Sequence, residues 1–323
     1  MNTFQNPLAE YSAPDPFMTY DKATGYYYAM FTGDEEILLF RSKRAGDILK
    51  NGEQKVVYRA TGANSIYNHI WAPEMHKAPN GKWYLYSSST YRKEDVDNLW
   101  SEKRLFILES DTQDPFDGFH FKSRPDDSIY AIDPTVYTAK DGKQYICYSL
   151  CTDKQALEIR ELVNPYTFGE KRTVISEPTY DWEKQPPSNP WRINEGAFFI
   201  ENDGRIFIAY SYNGCFCNEY GIALLEYVGG DLCEKTAWKK YDNPFFTTGN
   251  GVYGPGHATF FRSPSDKELW IAYHGMNHYN ENEVFTDRYM HIQRIEFDKT
   301  GAPLKAIPVG CNVTMTPPDG ENS

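Results

Sequence analysis

Four carboxylic acids and one histidine recur along the chain at nearly even intervals. Asp15, Glu74, Asp133, Glu195 and His257 are separated by 59, 59, 62 and 62 residues, and each opens a short apolar segment. If that interval is a structural repeat, the five side chains converge on one place. Carboxyl groups crowded that closely cannot all ionise comfortably, so at least one pKa is pushed up while others are held down by partners. Two carboxyl groups whose surroundings push their titrations apart are what a general acid and a general base require. A single Asp-Pro or Glu-Gly at a strand start reads first as a turn. Five ionisable residues in matching register read as chemistry, because burying charge is costly without a use for it.

The elements that must position them also repeat. A turn residue followed by aromatic-rich alternation, closing on a small polar residue, occurs five times. The copies are Gly25-Tyr-Tyr-Tyr-Ala-Met-Phe-Thr32, Gly81-Lys-Trp-Tyr-Leu-Tyr-Ser-Ser88, Gly142-Lys-Gln-Tyr-Ile-Cys-Tyr-Ser149, Gly204-Arg-Ile-Phe-Ile-Ala-Tyr-Ser211 and Lys267-Glu-Leu-Trp-Ile-Ala-Tyr-His274. Asn80-Gly81, Asp141-Gly142 and Asp203-Gly204 are hairpin turn pairs. Each copy follows a strand opened by one of the five ionisable residues. Each precedes a third strand, at 37–41, 104–108, 156–160, 220–225 and 289–295. Strand, tight turn, strand, loop, strand, renewed about every 60 residues, predicts a five-bladed β-propeller, all-β, filling residues 1–323 as one domain. A β-sandwich with fortuitous spacing is the alternative. In a propeller the first strand of each blade lines the axis, so the five residues meet in one funnel.

Composition agrees. The chain has 323 residues, with 25 Tyr and 19 Phe, residues that favour strands. Its net charge of −12 argues against nucleic acid as a partner, since phosphate binding needs a basic face. No apolar run reaches the ~18 residues of a membrane span. The N-terminus, Met1-Asn2-Thr3-Phe4-Gln5-Asn6-Pro7, shows no basic region before an apolar stretch, so a cytoplasmic location is expected, although a chain trimmed of its leader reads the same. Cys147, Cys151, Cys215, Cys217, Cys233 and Cys311 fit neither a disulfide scaffold nor a zinc site and read as reduced thiols. Asn312-Val313-Thr314 is a lone glycosylation sequon, and Thr316–Gly320 reads as a frayed tail. Phosphate loops, nucleophile elbows and zinc-helix motifs are missing, and nothing calls for an organic cofactor. Phe31, Trp71, Trp191 and Tyr253 lie near the funnel positions in sequence and offer flat apolar faces for a sugar ring.

Together these residues resemble glycoside hydrolase family 43. The resemblance runs from about Asn6 to Asp298. It rests on Ala13-Pro14-Asp15-Pro16, Trp71-Ala72-Pro73-Glu74, Ala131-Ile132-Asp133-Pro134, Asn194-Glu195-Gly196, Gly256-His257-Ala258 and Arg288. It implies a five-bladed propeller that cleaves oligosaccharide or polysaccharide with inversion. Asp15 is then the general base, Glu195 the general acid, and Asp133 the carboxylate that tunes and orients the acid. Arg288 resembles the arginine that reaches the terminal sugar or a catalytic carboxylate. Phe31, Trp71 and Glu74 are expected at the substrate. His257 resembles the histidine that supports a central calcium in some members, so a structural calcium on the axis is expected as an option and no other cofactor. The Trp71-to-Lys77 segment resembles exo-acting α-L-arabinofuranosidases; a β-xylosidase or endo-arabinanase on the same scaffold stays open. So does a non-catalytic sugar-binding propeller.

Overall fold

The hairpins form where the turn pairs place them. In one of them Asp203 and Gly204 both take the left-handed conformation, φ 48° and 77°, that a two-residue turn between twisted strands demands. In a computed structural model, which describes residues 3–188, 190–279 and 287–321, five antiparallel sheets follow one another along the chain. The first holds β1 (Phe17–Asp21), β2 (Tyr26–Met30), β3 (Glu36–Ser42) and β4 (Glu53–Arg59). The second holds β5 (Trp71–Lys77), β6 (Trp83–Thr90), β7 (Lys103–Ser110) and β8 (Phe119–Ser123). In the third are β9 (Ala131–Thr138), β10 (Gln144–Cys151), β11 (Gln155–Asn164), β12 (Thr167–Phe168) and β13 (Thr173–Ser176), the last two both pairing with β11. The fourth holds β14 (Asn194–Asn202), β15 (Arg205–Tyr212), β16 (Gly221–Tyr227) and β17 (Trp238–Lys240). The fifth has three strands, β18 (Tyr253–Arg262), β19 (Leu269–Met276) and β20 (Tyr289–Ile295).

The first strand of each sheet touches the first strand of the next, and β18 returns to β1. That closes a ring of five blades: the fold is a five-bladed β-propeller. Its core is divided into five wedges, one between each pair of neighbouring blades. Large side chains fill these wedges, which is why tyrosine is so abundant. Tyr27, Tyr28, Tyr84, Tyr86, Tyr148, Tyr210, Tyr220 and Tyr273 are all fully buried. Most of their hydroxyls find partners, as buried hydroxyls tend to: Tyr210 donates to Glu183 at 3.0 Å and Tyr273 to Gln293 at 3.1 Å.

The chain termini close the ring at the three-stranded blade. Asn6 acts as a strand residue through its side chain, donating to Ile292 O at 2.8 Å and accepting from Ile292 N at 3.0 Å. Leu8 N donates to Met290 O, and Ala13 N to Arg288 O. The expected frayed tail is instead docked. Met315 pairs with Phe4, Ser265 N donates to Asp319 O, and Glu321 accepts from Ala45 N. Unpaired backbone at the bottom of the first and last blades gives the tail its partners, which its Pro-rich composition did not suggest.

Candidate active site

The even spacing of the five ionisable residues is not an identity of register. In the ladders, Trp71, Ile132, Glu195 and Gly256 face Ser88, Ser149, Ser211 and His274, and are therefore equivalent. The residue that follows each, with its counterpart Asp15 in the first blade, is left-handed: Asp15 at φ 53°, Ala72 at 42°, Asp133 at 55°, Gly196 at 54° and His257 at 45°. Asp15, Asp133 and His257 thus share one position, and Glu195 stands one residue ahead of it. Glu74 lies two residues beyond, and its Oε2 is bound to His76 Nε2 at 2.7 Å beside the rings of Phe17 and Phe198. The expectation that all five share one register is corrected accordingly.

A left-handed non-glycine residue costs about 1–3 kcal/mol, so four in equivalent places mark a backbone shaped for its side chains. The ladder slips along the same stretch in four blades, a bulge that re-aims the residues next to it. In four cases the N–H of the left-handed residue is captured by a side chain of the preceding blade. Thr32 Oγ1 takes Ala72 N at 2.8 Å, Ser211 Oγ takes His257 N at 2.7 Å, and His274 Nδ1 takes Asp15 N at 3.0 Å. Gly196 N donates to the carboxylate of Asp133 at 3.1 Å. At Gly196 a side chain would be strained, because a Cβ there would come 3.2 Å from the His257 ring while holding φ 54°.

Asp15 accepts from Arg288 Nη1 at 3.0 Å and from Thr32 Oγ1 at 2.6 Å, and His257 Nδ1 is 3.3 Å away. Burial pushes its pKa up, but the charge of Arg288, with His257 and His274 close by, holds it well below the usual carboxylate range. Burial lowers His274 to about 4, so its neutral ring accepts the Asp15 N–H and carries its own proton on Nε2. Glu195 is 9% exposed and Asp133 6%. Burial first, then the charge of Asp15, raises Glu195 to about 7 against the Tyr220 hydroxyl, which donates to it at 2.9 Å. Asp133 is likewise raised to about 7, by burial and then by the charges of Glu195 and Asp15, against His257 and the Gly196 N–H.

The remaining expected residues fall around this centre. Arg288 reaches a carboxylate, Asp15, and its buried Nε has no partner among the described residues. Trp71 occupies the ladder position of Glu195, under the ammonium of Lys103 at 4.4 Å. Phe31 adjoins Thr32 and stacks on Phe40 at 5.8 Å. Trp191 is 59% exposed, and Tyr253 lies 6.3 Å from Tyr279. For His257 the calcium expectation meets a poor donor set. Calcium takes six to eight oxygen ligands. His257 offers a nitrogen turned toward Asp15, and among the described residues no three His, Cys, Asp or Glu side chains converge as ligands. The residues present do not fit a calcium cage. The sequence reading missed Tyr220, Thr32, Ser211 and His274.

The family profile described as glycosyl hydrolases family 43 matches residues 4–303. The chain belongs to glycoside hydrolase family 43. It is a glycoside hydrolase, with a carbohydrate as substrate, and the chemistry of its family calls for no organic cofactor. An "extracellular exo-alpha-(1->5)-L-arabinofuranosidase" of Streptomyces chartreusis is 30% identical over 84% of this chain and 82% of the relative. A protein of the same description from Streptomyces avermitilis is 28% identical over 97% of this chain, which spans 65% of that relative's length. The crystal structure of an alpha-L-arabinofuranosidase from Lactobacillus brevis superposes with a TM-score of 0.83 at 25% identity, covering 96% of this chain and 98% of that one. The cytoplasmic location expected from the N-terminus is overturned by the two Streptomyces relatives, both named as extracellular proteins. No described helix is long and apolar enough to cross a membrane.

Proposed function

We propose that this family 43 enzyme is an exo-acting, inverting α-L-arabinofuranosidase that works outside the cell. One observation carries the mechanism: two largely buried carboxyl groups of one funnel have their pKa values pushed apart. Arg288 holds Asp15 ionised well below the usual carboxylate range, and burial raises Glu195 to about 7, so that it carries its proton below that pH. Glu195 gives its proton to the glycosidic oxygen as the bond from that oxygen to the anomeric carbon breaks. Asp15 takes a proton from the water whose oxygen bonds to the opposite face of the same carbon. The cycle leaves Asp15 protonated and Glu195 ionised, and exchange with solvent restores both. Asp133 accepts the Gly196 N–H, which fixes the backbone beside Glu195 and so orients the acid. The names of the relatives support the choice of sugar, the exo action and the export.

The purified protein is to be assayed on aryl α-L-arabinofuranoside, aryl β-xyloside and linear arabinan. Release of free arabinose alone from arabinan, with the anomer opposite to the substrate's seen first by proton NMR, is the expected result. Faster cleavage of the xyloside would overturn the sugar, oligomeric products from arabinan the exo action, and initial release of the retained anomer the role of Asp15.

A further inference from the structure

Glu183 lies in the connection between β13 and β14 and is fully buried, a rare place for a carboxylate, and the mechanism above does not use it. Its Oε2 accepts the N–H groups of Thr179 at 2.8 Å and Tyr180 at 2.9 Å. Its Oε1 takes the ammonium of Lys240 at 2.6 Å, the side-chain amide of Asn194 at 2.9 Å and the hydroxyl of Tyr210 at 3.0 Å. Asn194 is also fully buried, and its side-chain oxygen accepts from Ser176 Oγ at 2.8 Å and from Lys240 Nζ at 3.2 Å. Both polar atoms of the Asn194 side chain are therefore held. The groups that hold it come from Glu183, from β13 of the third blade and from β17 of the fourth.

Asn194 is the residue before the proposed acid. It opens β14, so Glu195 stands one residue from the end of its strand, where strands fray first. Pairing with β15 is regular at Asn194 and Glu195 and then slips until Phe198. Beyond Glu195 the backbone is fixed by the Gly196 N–H on Asp133. Before it, the fixing falls to the side chain of Asn194. Successive side chains of a strand point to opposite faces, so the grip on Asn194 leaves Glu195 turned the other way, toward Tyr220. A buried lysine–glutamate pair is often no more stabilising than apolar side chains of the same volume. What the pair adds here is a fixed place for Asn194.

We propose that Glu183 and Lys240, acting through Asn194, are positioning residues for the general acid Glu195. This rests on the reading of Glu195 above. With the grip lost, the acid falls out of line with the glycosidic oxygen, so leaving groups that need a proton suffer most. The test compares Asn194→Leu, which keeps the bulk and removes the polar atoms, with wild type on two substrates. One is α-1,5-arabinotriose; the other is p-nitrophenyl α-L-arabinofuranoside, whose phenolate departs unprotonated. The trisaccharide should lose about tenfold in kcat with KM within about twofold, while the aryl substrate keeps its kcat within about twofold. Ser176→Ala removes one bond to Asn194 and should show the same pattern at about threefold. It decides the matter if Asn194→Leu does not fold. A merely structural role would lower the folded fraction and so slow both substrates alike. Equal losses on the two, or none on the trisaccharide, would overturn the proposal. Glu195→Gln is measured beside them. If it too slows both substrates alike, the reading of Glu195 fails and takes the proposal with it; if it alone separates them, only the positioning role fails. Should wild type cleave only xylosyl substrates, xylotriose and p-nitrophenyl β-xyloside decide the role of Asn194 in the same way.

Discussion

Asp15 and Glu195 are both largely buried carboxyl groups of one propeller, yet their surroundings differ in kind. Asp15 has a guanidinium at 3.0 Å, a threonine hydroxyl at 2.6 Å and two imidazoles near it. Glu195 has one phenol, at 2.9 Å, with Asp133 and Asp15 as neighbouring like charges. Burial acts on both in the same direction, so it cannot separate them. What separates them is whether a cation pays back the cost of desolvation, and only Asp15 has a direct ion pair with one. A carboxylate held ionised and a carboxyl group raised to about 7 thus coexist in one site, as the proposed base and acid require.

The most forceful way to break this comparison is to remove each group. Glu195→Gln should lower kcat on arabinotriose by about 10²–10⁴-fold, and by much less on an aryl glycoside whose leaving group departs without a proton. Asp15→Asn should slow both substrates alike, because water activation serves either one, and azide should rescue it as an external nucleophile. Equal losses on good and poor leaving groups in the Glu195 variant would move the acid to Asp133. Next in size is Arg288→Met. With the cation gone Asp15 should rise by about 1–3 units, carrying the acid limb of kcat/KM upward. Arg288 also lowers Glu195, so the alkaline limb should rise too. An unmoved acid limb would show that Asp15 owes its low pKa to the histidines.

Much of this site could be read from the sequence, and the part that could not has a physical reason. Five blades follow from aromatic alternation because the middle strands are buried almost throughout and must be mostly apolar. The outer strands went unseen: β4 reads Glu-Gln-Lys-Val-Val-Tyr-Arg and leaves its first four residues exposed, as an edge protected by charge does. Asp15, Asp133 and Glu195 stood out as carboxyl groups in a repeating context. Their exact offset did not, since a left-handed residue and a bulge leave no mark on spacing. Thr32, Ser211 and His274 were present as the closing residues of the repeat, but the bonds that give them work run to the next blade. Tyr220 had no signal at all, for it reaches Glu195 only once β16 lies beside β15.

The comparison can also be sharpened through stability. Glu195 has a folded pKa near 7, above its unfolded value. A carboxyl group raised in this way favours the folded state fully below its unfolded pKa, and that contribution is lost as pH rises through about 7. Glu195→Gln removes the ionisation, so the variant should melt a few degrees above wild type at pH 8 and show no such gain at pH 5. The same shift sets the pH profile of the wild type. The acid must be protonated to work, so kcat/KM should fall as pH rises through about 7, with an acid limb well below the usual carboxylate range. An alkaline limb near 4.5 would show that Glu195 is not held protonated.

The smallest expected effect concerns Tyr220, whose ring stacks on His274 at 5.6 Å and 5° while its hydroxyl serves Glu195. Burial, then the Glu195 charge, pushes the phenol's own pKa well up, so it remains a donor throughout the working range. A donor bound to a carboxylate favours the ionised form. Tyr220→Phe keeps the stack and removes the donor, so Glu195 should become harder to ionise and the alkaline limb should move up by less than about one unit. The acid limb should stay in place, because His274 still accepts the Asp15 N–H. Loss of activity without any shift of the alkaline limb would mean that Tyr220 only fills space. A downward shift would mean that Glu195, and not Tyr220, donates in their hydrogen bond, and the acid would then be spending its proton on the protein.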